Sequence, residues 1–374
     1  MSATEEMLGR LAEIPDVQVS AGESLAGQTR FGIGGPADIY AQAAREESFL
    51  EALRVARSSG LEWTVMGSGT NLIVSDQGFR GIVLRSTADR ISRDGDRLSV
   101  EAGAELQSLV DFVIVGGLKG LETLAGIPGS VGGAIYGNAG AYGHAIFEVV
   151  RRVRFFDGER VRTFENRECE FHYRESIFKR HKEWIILGAE LVFEIADGGE
   201  LRRRADEILA VRNEKYPPAL KCAGSIFKNL LLEELPPSVA SMAPPQVIRE
   251  GKVPAAYFLD QAGAKGVSRG DIHVAGYHAN LIYNAGAGRA QDLVELIAEL
   301  KARVRQRFGL KLEEEVQYLG FEKSEVRSQE DRHETRGHCP VSYKLHATSP
   351  AEGGQPAGSF AEEHRDTHAF RRAG

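Results

Sequence analysis

The first candidate for chemistry is a stretch without a single charge. From Ala125 to Gly143 the chain reads AGIPGSVGGAIYGNAGAYG, seven glycines in nineteen residues. Glycine loses more backbone freedom on ordering than any other residue. This density is tolerated where φ must be positive or where a ligand or second backbone comes close. A flexible linker would be rich in Ser and polar residues. Here Ile127, Val131, Ile135 and Tyr136 are interleaved and favour burial. A second loop, VMGSGTNLIV over residues 65–74, joins two short apolar runs. Two ordered glycine loops predict a nucleotide cofactor whose pyrophosphate is held by backbone N–H groups rather than by lysines. Neither loop is a Rossmann fingerprint. Gly67-Ser68-Gly69 lacks the third glycine of GxGxxG, as does Gly32-Ile33-Gly34, which Pro36 interrupts.

Three polar positions come next. Arg174 lies in YRESIFK, Tyr173 to Lys179, after a strand pattern ending near Phe164; by spacing alone it is equally a surface arginine. Ser225 in GSIFKN follows Ala223-Gly224, which puts its hydroxyl on an open turn. No GxSxG is present, so a hydrolase elbow is not indicated, and a turn or capping serine is the plain alternative. Glu315 in LEEEVQYLG alternates with Val316 and Tyr318. A carboxylate on an edge strand accounts for it equally well.

These residues need a mixed α/β scaffold. Helical spacing marks residues 47–59, 201–212 and 290–308, the last with Leu293, Leu296, Ile297, Leu300 and Val304 on one face and Gly309 as its stop. Strand patterns cover 63–66, 72–74, 81–85 and 315–319. Asp94-Gly95 and Asp157-Gly158 between β-branched runs mark hairpins, so the sheets are partly antiparallel.

Length and charge narrow the class. The 374 residues suffice for two or three domains, and a net charge of −7 argues against nucleic-acid or anionic-membrane partners. An anionic substrate would need local Arg or Lys. Three scattered cysteines form neither a disulfide framework nor a metal set, which suits reduced thiols in a cytoplasm. The acidic N-terminus is no signal peptide, and no apolar run spans a bilayer. Residues 321–374 are polar and hold five of the ten histidines: His333, His338, His346, His364 and His368. Without CxxC or HxxxH spacing, a disordered, solvated tail fits better than a metal site.

In order along the chain stand TRFGIGGPAD, MGSGTNLIV, AGIPGSVGGA with NAGAYG, YRESIFK, AGSIFKN, AAYFLDQAGAKG, HAN and LEEEV. This series resembles the UDP-N-acetylenolpyruvoylglucosamine reductase (MurB) family, over residues 20–320. The resemblance implies an α+β protein with a vanillyl-alcohol-oxidase (PCMH)-type FAD-binding fold. Its two α/β lobes would be residues 18–86 and 87–208, the latter with a return strand at 312–320. A substrate-binding α+β domain would follow at 209–311. It implies non-covalent FAD against Gly67, Ser68, Gly69, Thr70 and Asn71, and against Gly126, Ile127, Pro128, Gly129, Ser130, Gly132 and Gly133. A side chain at Gly132 would then intrude on phosphate or ring. NADPH is the implied hydride donor and a UDP-sugar enolpyruvyl ether the substrate. The catalytic positions carried over are Arg174, Ser225 and Glu315. Substrate contacts fall on Tyr173, Lys215 in RNEKYP, Asn229 and His278. The resemblance also implies a cytoplasmic monomer in peptidoglycan precursor synthesis.

The chain departs from the family pattern in places. Leu230 follows Asn229 where proline is usual, an extra stretch runs from Leu230 to Glu250, and Gln317 stands where arginine is common. Arg174 and Ser225 are 51 positions apart, a short spacing that resembles the type II subclass. Two rival readings exist. One is another flavoenzyme of the same fold that tethers its flavin through His144, the histidine nearest a glycine loop. The other is a nucleotide-binding module without catalysis, which has no reason to hold Arg174, Ser225 and Glu315 in their motifs.

Overall fold

The computed structural model describes residues 2–321; the histidines beyond position 321 and the tail reading lie outside them. A four-stranded sheet orders Val17–Ser24, Pro36–Ala43, Phe79–Ser86 and Trp63–Val65, the first pair antiparallel and the others parallel. Helix Glu46–Ser58 buries Phe49, Leu53 and Ala56 against Ile39, Ile82 and Leu84 of this sheet. Arg57 in its last turn complements the helix dipole.

A second, five-stranded sheet is wholly antiparallel: Val161–Glu165, Val150–Phe156, Ile185–Val192, Arg97–Glu101 and Ile91–Asp94. Both Asp-Gly pairs close hairpins in it. Gly95 takes φ +65°, which the tight turn requires, and Asp157 Oδ1 accepts the N–H groups of Glu159 and Arg160 at 2.9 Å. Helices Leu106–Val115, Val131–Tyr136 and Gly198–Lys215 pack on it around Val100, Leu109, Val113 and Leu191.

The third unit is a small meander, Ser268–Arg269, Ile272–Val274 and Ile282–Asn284, under helices Ala255–Gln261 and Ala290–Phe308. The long helix buries the apolar stripe its spacing predicts, and Gly309 ends it at φ +69°, donating its N–H to Arg305 O at 2.8 Å. Its N-terminus is capped from outside the unit. Asp76, just beyond strand Leu72–Val74, accepts from the N–H groups of Ala290 and Gln291 at 2.8 and 3.0 Å.

Two segments differ from the sequence reading. Strand Gln317–Leu319 pairs in parallel with Leu72–Val74, so the return strand lies beside the first lobe's residues and not with 87–208. Pairing partners so distant in sequence leave no local pattern to read. The extra stretch from Leu230 to Glu250 does not lie over the third unit as a loop. It is closed by pairing of Leu230–Leu231 with Lys252–Val253 and sends Leu235, Val239 and Ala243 into that unit's core.

Candidate active site

All of the sequence-derived site positions line one cavity of about 1800 Å³. The two glycine loops form part of its wall and touch each other. Thr70 Oγ1 donates to Pro128 O at 3.2 Å, and a Cβ on Gly67 would sit 2.8 Å from Ser130 Oγ. Gly69 is obligatory: its φ is +65°, and a Cβ there would lie 1.9 Å from Gln28 O. The N–H groups of Gly67, Ser68, Gly69, Thr70, Gly129 and Ser130 have no acceptor among the described residues. Backbone donors left open on the glycine-loop wall of a cavity are what an anionic ligand satisfies. The donor set therefore fits a dinucleotide pyrophosphate. Gly132 corrects the sequence reading. Its Cβ direction meets Ala102 Cβ at 2.9 Å, so a side chain here would strike the neighbouring backbone rather than a ligand, although Gly132 itself lines the cavity. Gly133, whose N–H bonds the capping Ser130 Oγ at 3.3 Å, has only that oxygen near its Cβ direction, at 3.4 Å.

Across the cavity three segments converge. Arg174 holds φ +57°, a left-handed conformation that costs a non-glycine residue about 1 kcal/mol or more. Its Nε donates to Glu315 Oε1 at 2.7 Å and one Nη to Gly140 O at 2.7 Å. The other Nη keeps both N–H bonds free among the described residues, enough for a substrate carboxylate. Glu315 N in turn donates to Ile226 O at 2.7 Å, which sets this carboxylate beside the serine segment. Ser225 is not on an open turn. It follows Gly224, at φ +80°, and bridges to Leu281 on extended backbone. Its Oγ lies 2.9 Å from the Tyr216 hydroxyl.

An ionic chain ties these segments together. Lys179 Nζ donates to the carbonyl of strained Arg174 at 2.6 Å and pairs with Glu175. Lys228, three residues after Ser225, bridges Glu175 at 2.6 Å to Glu313, two before Glu315. Burial would raise the Glu175 carboxyl, but the Lys228 and Lys179 ammonium groups outweigh it and hold the pKa below the usual carboxylate range. Lys228→Met strips both carboxylates of this partner, and we expect a loss of about 2 kcal/mol, at the lower end for a partly buried network. Urea denaturation midpoints check this, and Lys228→Arg should recover part of the loss. Equal midpoints for Lys228→Met and the parent would show that the chain contributes nothing.

The remaining predicted contacts divide. Asn229 spends its Oδ1 on Ala255 N at 3.3 Å, and its N–H on the Tyr173 hydroxyl at 3.3 Å, so it shapes the wall with one amide N–H pair to spare. His278 has a buried Nε2 without a partner. Burial first, then the Lys215 and Lys265 charges, push its pKa down to about 4, so it faces the cavity as a neutral hydrogen-bonding ring at pH 7. Arg30, Arg212 and Lys215 line the cavity with no carboxylate partner among the described residues. They supply the local positive field that the net charge of −7 demands. Arg30, Arg212 and Tyr216 escaped the sequence reading. Arg212 and Tyr216 flank Lys215 in RNEKYP, which was the available signal. His144 does not line the cavity and pairs with Glu148 at 2.8 Å, so the tethering reading has no support in the geometry.

A reductase from Solibacter usitatus, named UDP-N-acetylenolpyruvoylglucosamine reductase, is 62% identical over 311 residues, covering 83% of this chain and all of that protein. The chain belongs to the UDP-N-acetylenolpyruvoylglucosamine reductase family. The like-named protein of Heliobacterium modesticaldum is 37% identical over 80% of this chain and 90% of its own length. Residues 216–319 match the C-terminal domain of this reductase family, and residues 37–163 match the FAD binding domain family. The crystal structure of the MurB reductase from Thermus caldophilus superposes with a TM-score of 0.63 at 29% identity. It covers 81% of this chain and 98% of that one. The fold is thus the FAD-binding type that the glycine loops and their order imply, with FAD as the cofactor of the family. No helix among the described residues is long and apolar enough to cross a membrane.

Proposed function

We propose that this chain reduces the enolpyruvyl ether of UDP-N-acetylglucosamine to UDP-N-acetylmuramate with NADPH, and that Arg174, Ser225 and Glu315 carry the chemistry. The observation that supports this most is their convergence: Arg174 Nε on Glu315 at 2.7 Å, with Glu315 N on Ile226 O beside Ser225, facing the same cavity as the glycine loops. The loops at 67–71 and 126–133 would hold FAD, which would supply hydride transfer between NADPH and substrate. The protein's residues do the rest. The free Nη of Arg174 binds the substrate carboxylate and offsets negative charge that develops on that side. Ser225 gives a proton to the α-carbon, and Glu315 orients Arg174 and stabilises or protonates the enol. Lys215, Arg212 and Arg30 meet the substrate's phosphates, while Tyr173, Asn229 and neutral His278 line the sugar side. Residues 209–311 act as the substrate-binding domain. The enzyme works as a cytoplasmic monomer in peptidoglycan precursor synthesis; free, buried Cys169 and Cys222 suit a reducing compartment.

The purified protein should be yellow and release FAD on denaturation. It should oxidise NADPH rapidly only when the enolpyruvyl substrate is present. Release of FMN, flavin that stays with acid-precipitated protein, or NADPH oxidation indifferent to the substrate would each overturn this reading.

A further inference from the structure

Serine is a poor acid in water, and the hydroxyl proposed to protonate the α-carbon needs a source for the proton it gives away. The side chains around Ser225 show one. Tyr216 Oη lies 2.9 Å from Ser225 Oγ and is its sole side-chain hydrogen-bond partner among the described residues. Two cations stand over the Tyr216 ring, Lys215 Nζ at 5.1 Å and the Arg212 guanidinium at 5.8 Å from the centroid. A positive charge over an aromatic face is attracted to it, and more so as charge develops on the phenol oxygen. The His278 ring packs at 5.9 Å on the same tyrosine. Tyr216, Arg212, Lys215 and His278 all line the cavity.

We propose that Tyr216 is a positioning residue that aims the Ser225 hydroxyl and resupplies its proton. This rests on the reading of Ser225 as proton donor. In the step, Ser225 Oγ–H breaks as a C–H bond forms at the substrate α-carbon. The Tyr216 Oη–H proton moves to Ser225 Oγ along the 2.9 Å hydrogen bond. Serine ends neutral, and the negative charge rests on the tyrosine oxygen, whose ring has Lys215 and Arg212 nearby, until a solvent proton restores it. No oxidant or further reactant is needed.

Tyr216→Phe removes one oxygen and keeps the ring beside its two cations. Reoxidation of the bound flavin by the enolpyruvyl substrate should slow by about 10- to 100-fold, the scale for losing a proton-transfer partner. Reduction by NADPH should not change. Added to Ser225→Ala, the Phe substitution should cost nothing more, because the proton has no route left to resupply. The solvent-isotope proton inventory of the reoxidation step should be curved in the parent, with two protons in flight, and linear in Tyr216→Phe. Tyr216→Gln separates aim from resupply: its amide can hydrogen-bond Ser225 but gives no proton, so it should stay slow.

Several results would overturn the proposal. These are a parental reoxidation rate in Tyr216→Phe or in Tyr216→Gln, equal slowing of both half-reactions, or a full additional loss on the Ser225→Ala background. Should Ser225→Ala itself reoxidise at the parental rate, the serine assignment fails first, which is a different outcome from failure at Tyr216.

Discussion

Ser225→Ala protein should stay yellow, be bleached by NADPH at close to the parental rate, and recover its colour on adding the enolpyruvyl substrate at least about 10²-fold more slowly. The substitution removes a single oxygen from a residue whose backbone bridges Leu281, so the fold and the flavin loops are untouched. NADPH oxidation needs no proton at the substrate α-carbon, so the two half-reactions separate. Stopped-flow absorbance of the flavin band reads both. Glu315→Gln should show a similar selective loss. Arg174→Ala should add weaker substrate binding, since its free Nη is the proposed partner of the substrate carboxylate and its Nε holds Glu315. Slowing of the NADPH half-reaction to the same degree would make the serine structural, and the proton donor would then be sought at Glu315.

Gly133→Asp should fold and lose its flavin. A Cβ at this position meets only Ser130 Oγ at 3.4 Å, an ordinary contact, and an acidic residue suits the first turn of helix Val131–Tyr136. The carboxylate nevertheless enters the cavity wall that offers the open N–H groups of residues 67–70, 129 and 130, where the pyrophosphate is proposed to lie. Like charges forced together at a binding site cost several kcal/mol, so FAD affinity should fall by about 10³-fold. Gly133→Ala fits the same space without the charge and should keep its colour. Flavin fluorescence after ultrafiltration reads affinity, and circular dichroism checks the fold. A yellow Gly133→Asp protein would remove the pyrophosphate from this loop. Gly132→Asp is the poorer probe: its first side-chain carbon would strike Ala102, and loss of colour would report damaged packing.

Local patterns were legible wherever physics is local. The stripe of Leu293, Leu296, Ile297, Leu300 and Val304 set one helix to its observed bounds of Ala290–Phe308. Asp94-Gly95 set a hairpin, because a two-residue turn at positive φ has few solutions. Helix Gly198–Lys215 ran longer at both ends than the 201–212 read from spacing. Asp197 caps its start, and a largely polar helix with only Leu201 and Ala205 buried gives little periodicity to read.

The sequence by itself determined which residues were chemically competent: two glycine loops dense enough to hold a ligand on backbone donors, and an arginine, a serine and a glutamate in ordered motifs. Only the tertiary structure decided how they are used. Arg174 meets Glu315 across 141 positions, and Asn71 holds the Glu315 carbonyl across 244. Gly132 turned toward Ala102, the return strand joined Leu72–Val74, and Tyr216 met Ser225. The reason is physical. A helix or a turn is specified by neighbours within a few residues, whereas a hydrogen bond between distant segments depends on how whole cores pack. The sequence around either partner carries no periodicity that records the other.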